Sequence, residues 1–193
     1  AAYAEEFTDF ETMAQDIKDI VASVSSAWPG VPYPYSHATV FVGGGDEEFP
    51  MMANDGPDAG EGRTERFIAA HELLHSYFPF YMGIDERRYP FMDEGWTTAF
   101  EYMFNLEDIG KEAADALFIK MRSGNLAKPY PGEEIPIIVP ADATRGMVTG
   151  NDGYVKPALA YLALKETMGD EAFKSIDEAF LDVSEQAGSW EVG

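Results

Sequence analysis

Thr64-Glu65-Arg66-Phe67-Ile68-Ala69-Ala70-His71-Glu72-Leu73-Leu74-His75-Ser76-Tyr77-Phe78 is the stretch whose reading decides the rest of the chain. It predicts a helix that begins near Thr64, carries Glu65 in its first turn and runs to about Phe78, where Pro79 ends it. On such a helix, positions 71 and 75 lie one above the other on the same face. Two imidazoles stacked that way can both reach one zinc ion at about 2.0–2.1 Å. Glu72 starts on the adjacent face, near enough to reach a water on that metal, which is the place of a general base and not of a ligand. Leu73 and Leu74 face away and can anchor the helix in a core. The five-residue pattern is short, and an ordinary helix with two surface histidines satisfies it equally well. Context favours the metal: the chain has three histidines, and two of them fall here. A catalytic zinc site also needs a third protein ligand and an open position.

Upstream, Phe7, Phe10, Met13, Ile17, Ile20, Val21 and Val24 recur at three- and four-residue steps, one stripe of an amphipathic helix stopped by Pro29 and Gly30. Thr39–Val42 reads as a short strand, broken at Gly43. Residues 53–63, rich in Gly, Asp, Asn and Pro, read as a loop. Downstream, helices are expected over Asp93–Leu106 and Lys111–Met121, then a long irregular connection over residues 124–152. Two more helices are expected near the end, Tyr154–Met168 and Asp170–Gln186, split by Gly169. Helices dominate over a small early sheet, so the expected class is α+β.

The 193 residues favour one domain, and a hydrophobic fraction of 46% with 13% aromatics is ample for a core. A net charge of −22 argues against nucleic acid and anionic membranes, because phosphate binding needs a basic face. Acidity of this size fits solubility, a saline habitat or a missing partner domain, and solubility alone is the default reading. No apolar run approaches the roughly 20 residues that span a bilayer. The acidic first ten residues lack the form of a signal peptide and begin without Met, so a processed chain or a piece of a longer one is expected. The absence of cysteine removes disulfides, thiolate metal sites and cysteine nucleophiles together.

Eighteen residues separate His75 from Glu94-Gly95, in the run Phe91-Met92-Asp93-Glu94-Gly95-Trp96. This arrangement resembles the gluzincin zinc aminopeptidases, the group of membrane alanyl aminopeptidase; thermolysin-type peptidases have a spacer one residue longer. Tyr154-Val155-Lys156-Pro157-Ala158 followed by Met168-Gly169-Asp170-Glu171-Ala172-Phe173 is similar to the family's segment bearing its catalytic tyrosine. The family usually has Lys-Gly where this chain has Lys156-Pro157, a proline that the first turn of a helix tolerates. Gly43-Gly44-Gly45-Asp46-Glu47-Glu48-Phe49-Pro50 resembles the family's Gly-x-Met-Glu strand, without its methionine.

The resemblance runs from about Tyr33 to Phe180 and implies a thermolysin-like zinc peptidase catalytic domain. Residues 1–193 then form a single such domain, a part of a longer enzyme whose flanking domains are absent. It implies one Zn2+ held by His71, His75 and Glu94, with Glu72 as base and Tyr154 as oxyanion donor. Glu48 then grips the substrate's free α-amino group, with Glu47 a neighbouring competitor, and the backbone around Gly44 and Gly45 pairs with the peptide. Glu101, two helical turns beyond Glu94, is expected to orient one histidine, and Asp93 to do similar work. His37, beside the predicted strand, is expected to be structural. The implied activity is removal of N-terminal residues from peptides; the alternatives are a gluzincin endopeptidase, a catalytically idle zinc-stabilised binding domain, and a metal-free helical scaffold. Export or a periplasmic address is implied by the family alone.

Overall fold

The first apolar stripe folds as α1 (Phe10–Ser26), which buries Met13, Ile20 and Val24. The structure is a computed structural model that describes residues 10–42, 47–55, 64–126, 136–140, 150–176 and 179. Phe7, Gly44, Gly45 and most of the expected Asp170–Gln186 helix lie outside the described residues. The chain leaves α1 through Gly30, whose φ of +78° suits glycine; a Cβ there would sit 2.9 Å from the Ala27 carbonyl oxygen. Gly30 N–H closes the turn on the Val24 carbonyl at 3.0 Å.

A three-stranded sheet comes next, in the order β1 (Thr39–Val42), β3 (Met52–Asp55), β2 (Glu47–Phe49). β1 runs parallel to the central β3 with Thr39 opposite Met52, and β2 runs antiparallel to it with Glu48 opposite Ala53. The strand Met52–Asp55 corrects the expectation of a loop from residue 53. Its residues Met52-Ala53-Asn54-Asp55 carry no β-branched or aromatic side chain, so local propensity gave no sign of it. Pairing on both edges makes it a strand.

α2 (Thr64–Leu74) lies against α1, the sheet and α3 (Trp96–Asp108). Its Ala69, Ala70, Leu73 and Leu74 are sealed into one core with Ile20, Trp28, Phe100 and Met103. The helix stops earlier than expected. Phe78 is extended (φ −126°, ψ 110°) before a cis bond to Pro79, as the steric demand of proline on its predecessor favours. Residues Ser76–Tyr81 instead make a wide π-type turn, with Phe80 N–H reaching the His75 carbonyl at 3.4 Å and Met82 N–H the Tyr77 carbonyl at 3.1 Å.

The expected helix from Asp93 likewise opens with a π-type turn, Phe91–Gly95, before α3 proper. α4 (Lys111–Leu126) runs five residues past its expected end. A third wide turn, Gly150–Val155, feeds α5 (Lys156–Met168), with Pro157 in its first turn. Gly169 (φ +83°) ends α5, and residues 170–176 are again helical. Trp96 ties these parts together: it stacks on Tyr161 of α5 at 3.9 Å and on Phe100 at 5.5 Å, with Phe78 at 5.7 Å. The described residues are mostly helical with one small sheet, an α+β arrangement. Among them, no helix is long and apolar enough to cross a membrane.

Candidate metal centre

All three wide turns border the same place. The turn after α2 swings the Phe78 carbonyl back toward the helix, where it accepts from His75 Nδ1 at 2.9 Å and from Thr97 Oγ1 at 3.3 Å. Asp93 Oδ1 lies 2.8 Å from the same Nδ1. His71 Nδ1 meets Glu101 Oε2 at 2.7 Å. Each imidazole therefore has its Nδ1 engaged on a fixed acceptor, which leaves Nε2 as the free nitrogen. The two rings stand edge to face at 4.9 Å, and both Nε2 atoms face one carboxylate oxygen: Glu94 Oε2 is 3.2 Å from that of His71 and 3.4 Å from that of His75.

Gly95 explains how Glu94 gets there. A Cβ at residue 95 would meet Pro157 Cβ at 2.7 Å and Tyr161 Cε2 at 3.2 Å, so only glycine lets the turn lie against the start of α5. That same contact brings in Tyr154, whose hydroxyl donates to Glu94 Oε1 and whose ring is parallel to His71 at 6.2 Å. The turn bearing Tyr154 is pinned by buried Asp152, 2.6 Å from Lys156 Nζ.

His71, His75, Glu94 and Tyr154 line a cavity of about 210 Å³ together with Glu48, Glu72, Phe67, Ile68, Met121 and Arg122. Glu72 is buried, and its Oε2 has no hydrogen-bond partner among the described residues. Glu48, on the edge strand β2, lines the cavity, whereas Glu47, on the opposite face of the strand, is exposed. His37 lies elsewhere, exposed, with its Nδ1 3.3 Å from Ser36 Oγ.

Charge in this pocket is strongly redistributed. Burial opposes a proton on His71, but hydrogen bonds to Glu101 and Glu94 outweigh it and hold its pKa up to about 9. His75 is raised in the same way: burial opposes the charge, and Asp93 and Glu94 overcome it. Burial pushes Glu72 up to about 7 against the pull of both histidines, and Asp93 up to about 6 against that of His75. Burial works against the Glu94 carboxylate too, yet the two imidazoles hold it far below the usual range. Burial and the adjacent Glu94 push the Tyr154 phenol far above its ordinary value, so it remains a donor at neutral pH.

The donor set fits zinc. His71, His75 and Glu94 offer ligand atoms that all lie within 4.8 Å of one another, two borderline nitrogens and one oxygen. The two Nε2 atoms face one carboxylate oxygen, an arrangement of three donor atoms that a single cation can bridge.

The structure thus brings together His71, His75, Glu94, Glu72, Tyr154, Glu48, Glu101 and Asp93, and leaves His37 out. Three participants carried no signal in the sequence. Thr97 acts on His75 through its hydroxyl, and Phe78 through its carbonyl, which the turn after α2 places there. Arg122 belongs to α4, a helix no motif singles out; its Nη2 donates to Glu101 Oε2 at 2.7 Å.

The sequence matches no protein-family model and no curated protein. Among solved structures, a mutant M1 zinc metallopeptidase from Deinococcus radiodurans is similar, with a TM-score of 0.64 at 17% identity. The likeness covers 91% of this chain but 37% of that one, so the chain spans little more than a third of that structure's length. In fold, then, this chain is similar to part of an M1 zinc metallopeptidase.

Proposed function

We propose that this chain is a zinc-dependent peptidase domain of gluzincin type, with a thermolysin-like arrangement, that releases N-terminal residues from peptides. The observation that carries the proposal is the convergence of His71 Nε2, His75 Nε2 and Glu94 Oε2 beside a Glu72 carboxylate oxygen that has no partner among the described residues. His71, His75 and Glu94 would hold the ion. When bound, zinc supplies a Lewis acid that polarises the scissile carbonyl and makes water a nucleophile near neutral pH.

The rest is done by side chains of this chain. Glu72 takes a proton from the attacking water and passes it to the leaving amine. Tyr154, protonated and hinged at Glu94 in the resting site, turns its O–H to the oxygen that gains negative charge. Glu48 stands at the cavity edge as a carboxylate for the substrate's terminal ammonium, a charge-assisted bond that sets cleavage one residue in.

The test is a matched pair of short peptides, one with a free N-terminus and one N-acetylated. An aminopeptidase cleaves the first and rejects the second. Equal cleavage of both, or internal cleavage of longer peptides, would instead mark an endopeptidase and remove the role given to Glu48.

A further inference from the structure

We propose that Arg122 is a positioning residue of this centre, fixing the carboxylate that orients His71 and the ring of Tyr154 at once; this rests on the zinc-peptidase reading. Its guanidinium donates from Nη2 to Glu101 Oε2 at 2.7 Å, the same oxygen that lies 2.7 Å from His71 Nδ1. Glu101 is 0% exposed, and its other oxygen, Oε1, has no partner among the described residues. Sealed from solvent, this carboxylate takes its orientation from the two donors on Oε2.

Remove Arg122 and, among the described residues, only His71 remains on that oxygen. The carboxylate is then free to turn about its last torsion, and the buried charge loses its cation. His71 Nδ1 no longer has an acceptor fixed in one place, so the direction of Nε2 is loosened with it.

The same guanidinium lies over the Tyr154 ring, 5.6 Å from its centroid, and over Phe67 at 5.7 Å. A cation on that face of the phenol is favoured by the ring's quadrupole. Tyr154 thereby rests against both Arg122 and His71, whose parallel ring is 6.2 Å away. One side chain from α4 thus braces α2, α3 and the turn before α5. Arginine suits the task because its planar fork can bond an oxygen while its face stacks on a ring; lysine offers charge without the plane.

The experiment uses the whole chain with cobalt(II) in place of zinc, read by its visible absorption spectrum, by competition with a chelator, and by separate kcat and KM. Arg122→Met is expected to weaken cobalt and zinc binding by about tenfold or more, to alter the cobalt spectrum, and to lower kcat while KM stays within about twofold. Arg122→Lys is expected to recover part of the metal affinity. In a Glu101→Gln background, Arg122→Met should weaken metal binding by less than about twofold more, because both act on His71 through one oxygen. If Arg122→Met does not fold, the same readouts on Arg122→Gln decide the matter. Wild-type affinity and spectrum in the neutral variant, or losses of metal affinity that simply multiply with those of Glu101→Gln, would reduce Arg122 to packing and overturn the proposal. A wild-type chain that takes up neither cobalt nor zinc would overturn the zinc-peptidase reading itself.

Discussion

Asp93 Oδ1 and His75 Nδ1 stand 2.8 Å apart, although Asp93 immediately precedes the residue that faces the other nitrogen of the same ring. Two adjacent carboxylates thus bracket one imidazole, the first at its Nδ1 and the second facing its Nε2. Among the described residues, Asp93→Ala leaves His75 Nδ1 with the Phe78 carbonyl and Thr97. Zinc affinity, measured by chelator competition, is expected to fall about 10–100-fold with the fold intact by circular dichroism.

Glu72→Gln keeps the size and burial of the side chain but removes its basicity. Hydrolysis of a free-amine peptide is expected to drop about 10²–10⁴-fold in kcat, with zinc content unchanged by elemental analysis. A variant as fast as wild type would remove Glu72 from the chemistry.

Tyr154→Phe removes a single hydroxyl from a ring that is otherwise braced. A kcat lower by about 10²–10³-fold with KM little changed is expected, the signature of a donor used mainly as charge develops.

How much of the centre was legible in the sequence depends on where each residue's position is decided. His71, Glu72 and His75 sit on one helix, and their relation is set by helical periodicity alone, so spacing sufficed. Glu94, Tyr154 and Glu48 come from separate elements, and only resemblance to a known family suggested them. The strand Met52–Asp55 was hidden because its pairing, not its propensity, makes it a strand. The early end of α2 was hidden differently. Pro79 marked a stop, but the extended Phe78 and the turn of its carbonyl toward His75 come from tertiary packing. Arg122 was beyond reach because its partners lie on three other segments.

Gly95→Ala tests the packing that delivers Glu94. The added methyl must push against Pro157 and Tyr161, so a loss of about 1–3 kcal/mol in the urea stability of the metal-free chain is expected, together with weaker zinc binding.

Metal-free stability should also depend on pH in a defined direction. The His71 pKa, up to about 9 against 6.5 ordinarily, means that the folded chain holds this proton more tightly than the unfolded chain. The stabilisation is fully present below about pH 6.5 and is lost as pH rises through about 9. Thermal melts of the metal-free chain should therefore show Tm falling across that window. With zinc bound, the imidazoles are unprotonated and protons compete with the metal, so the zinc-dependent gain in Tm should grow over the same interval. A flat metal-free profile would contradict the charge distribution at His71.

The most direct measurement is anomalous diffraction at the zinc absorption edge from crystals of the chain grown with zinc. One peak is expected, bonded at about 2.0–2.2 Å to both Nε2 atoms and to the Glu94 carboxylate. An ion bonded elsewhere, or one with the Glu94 carboxylate well outside bonding distance, would contradict the account.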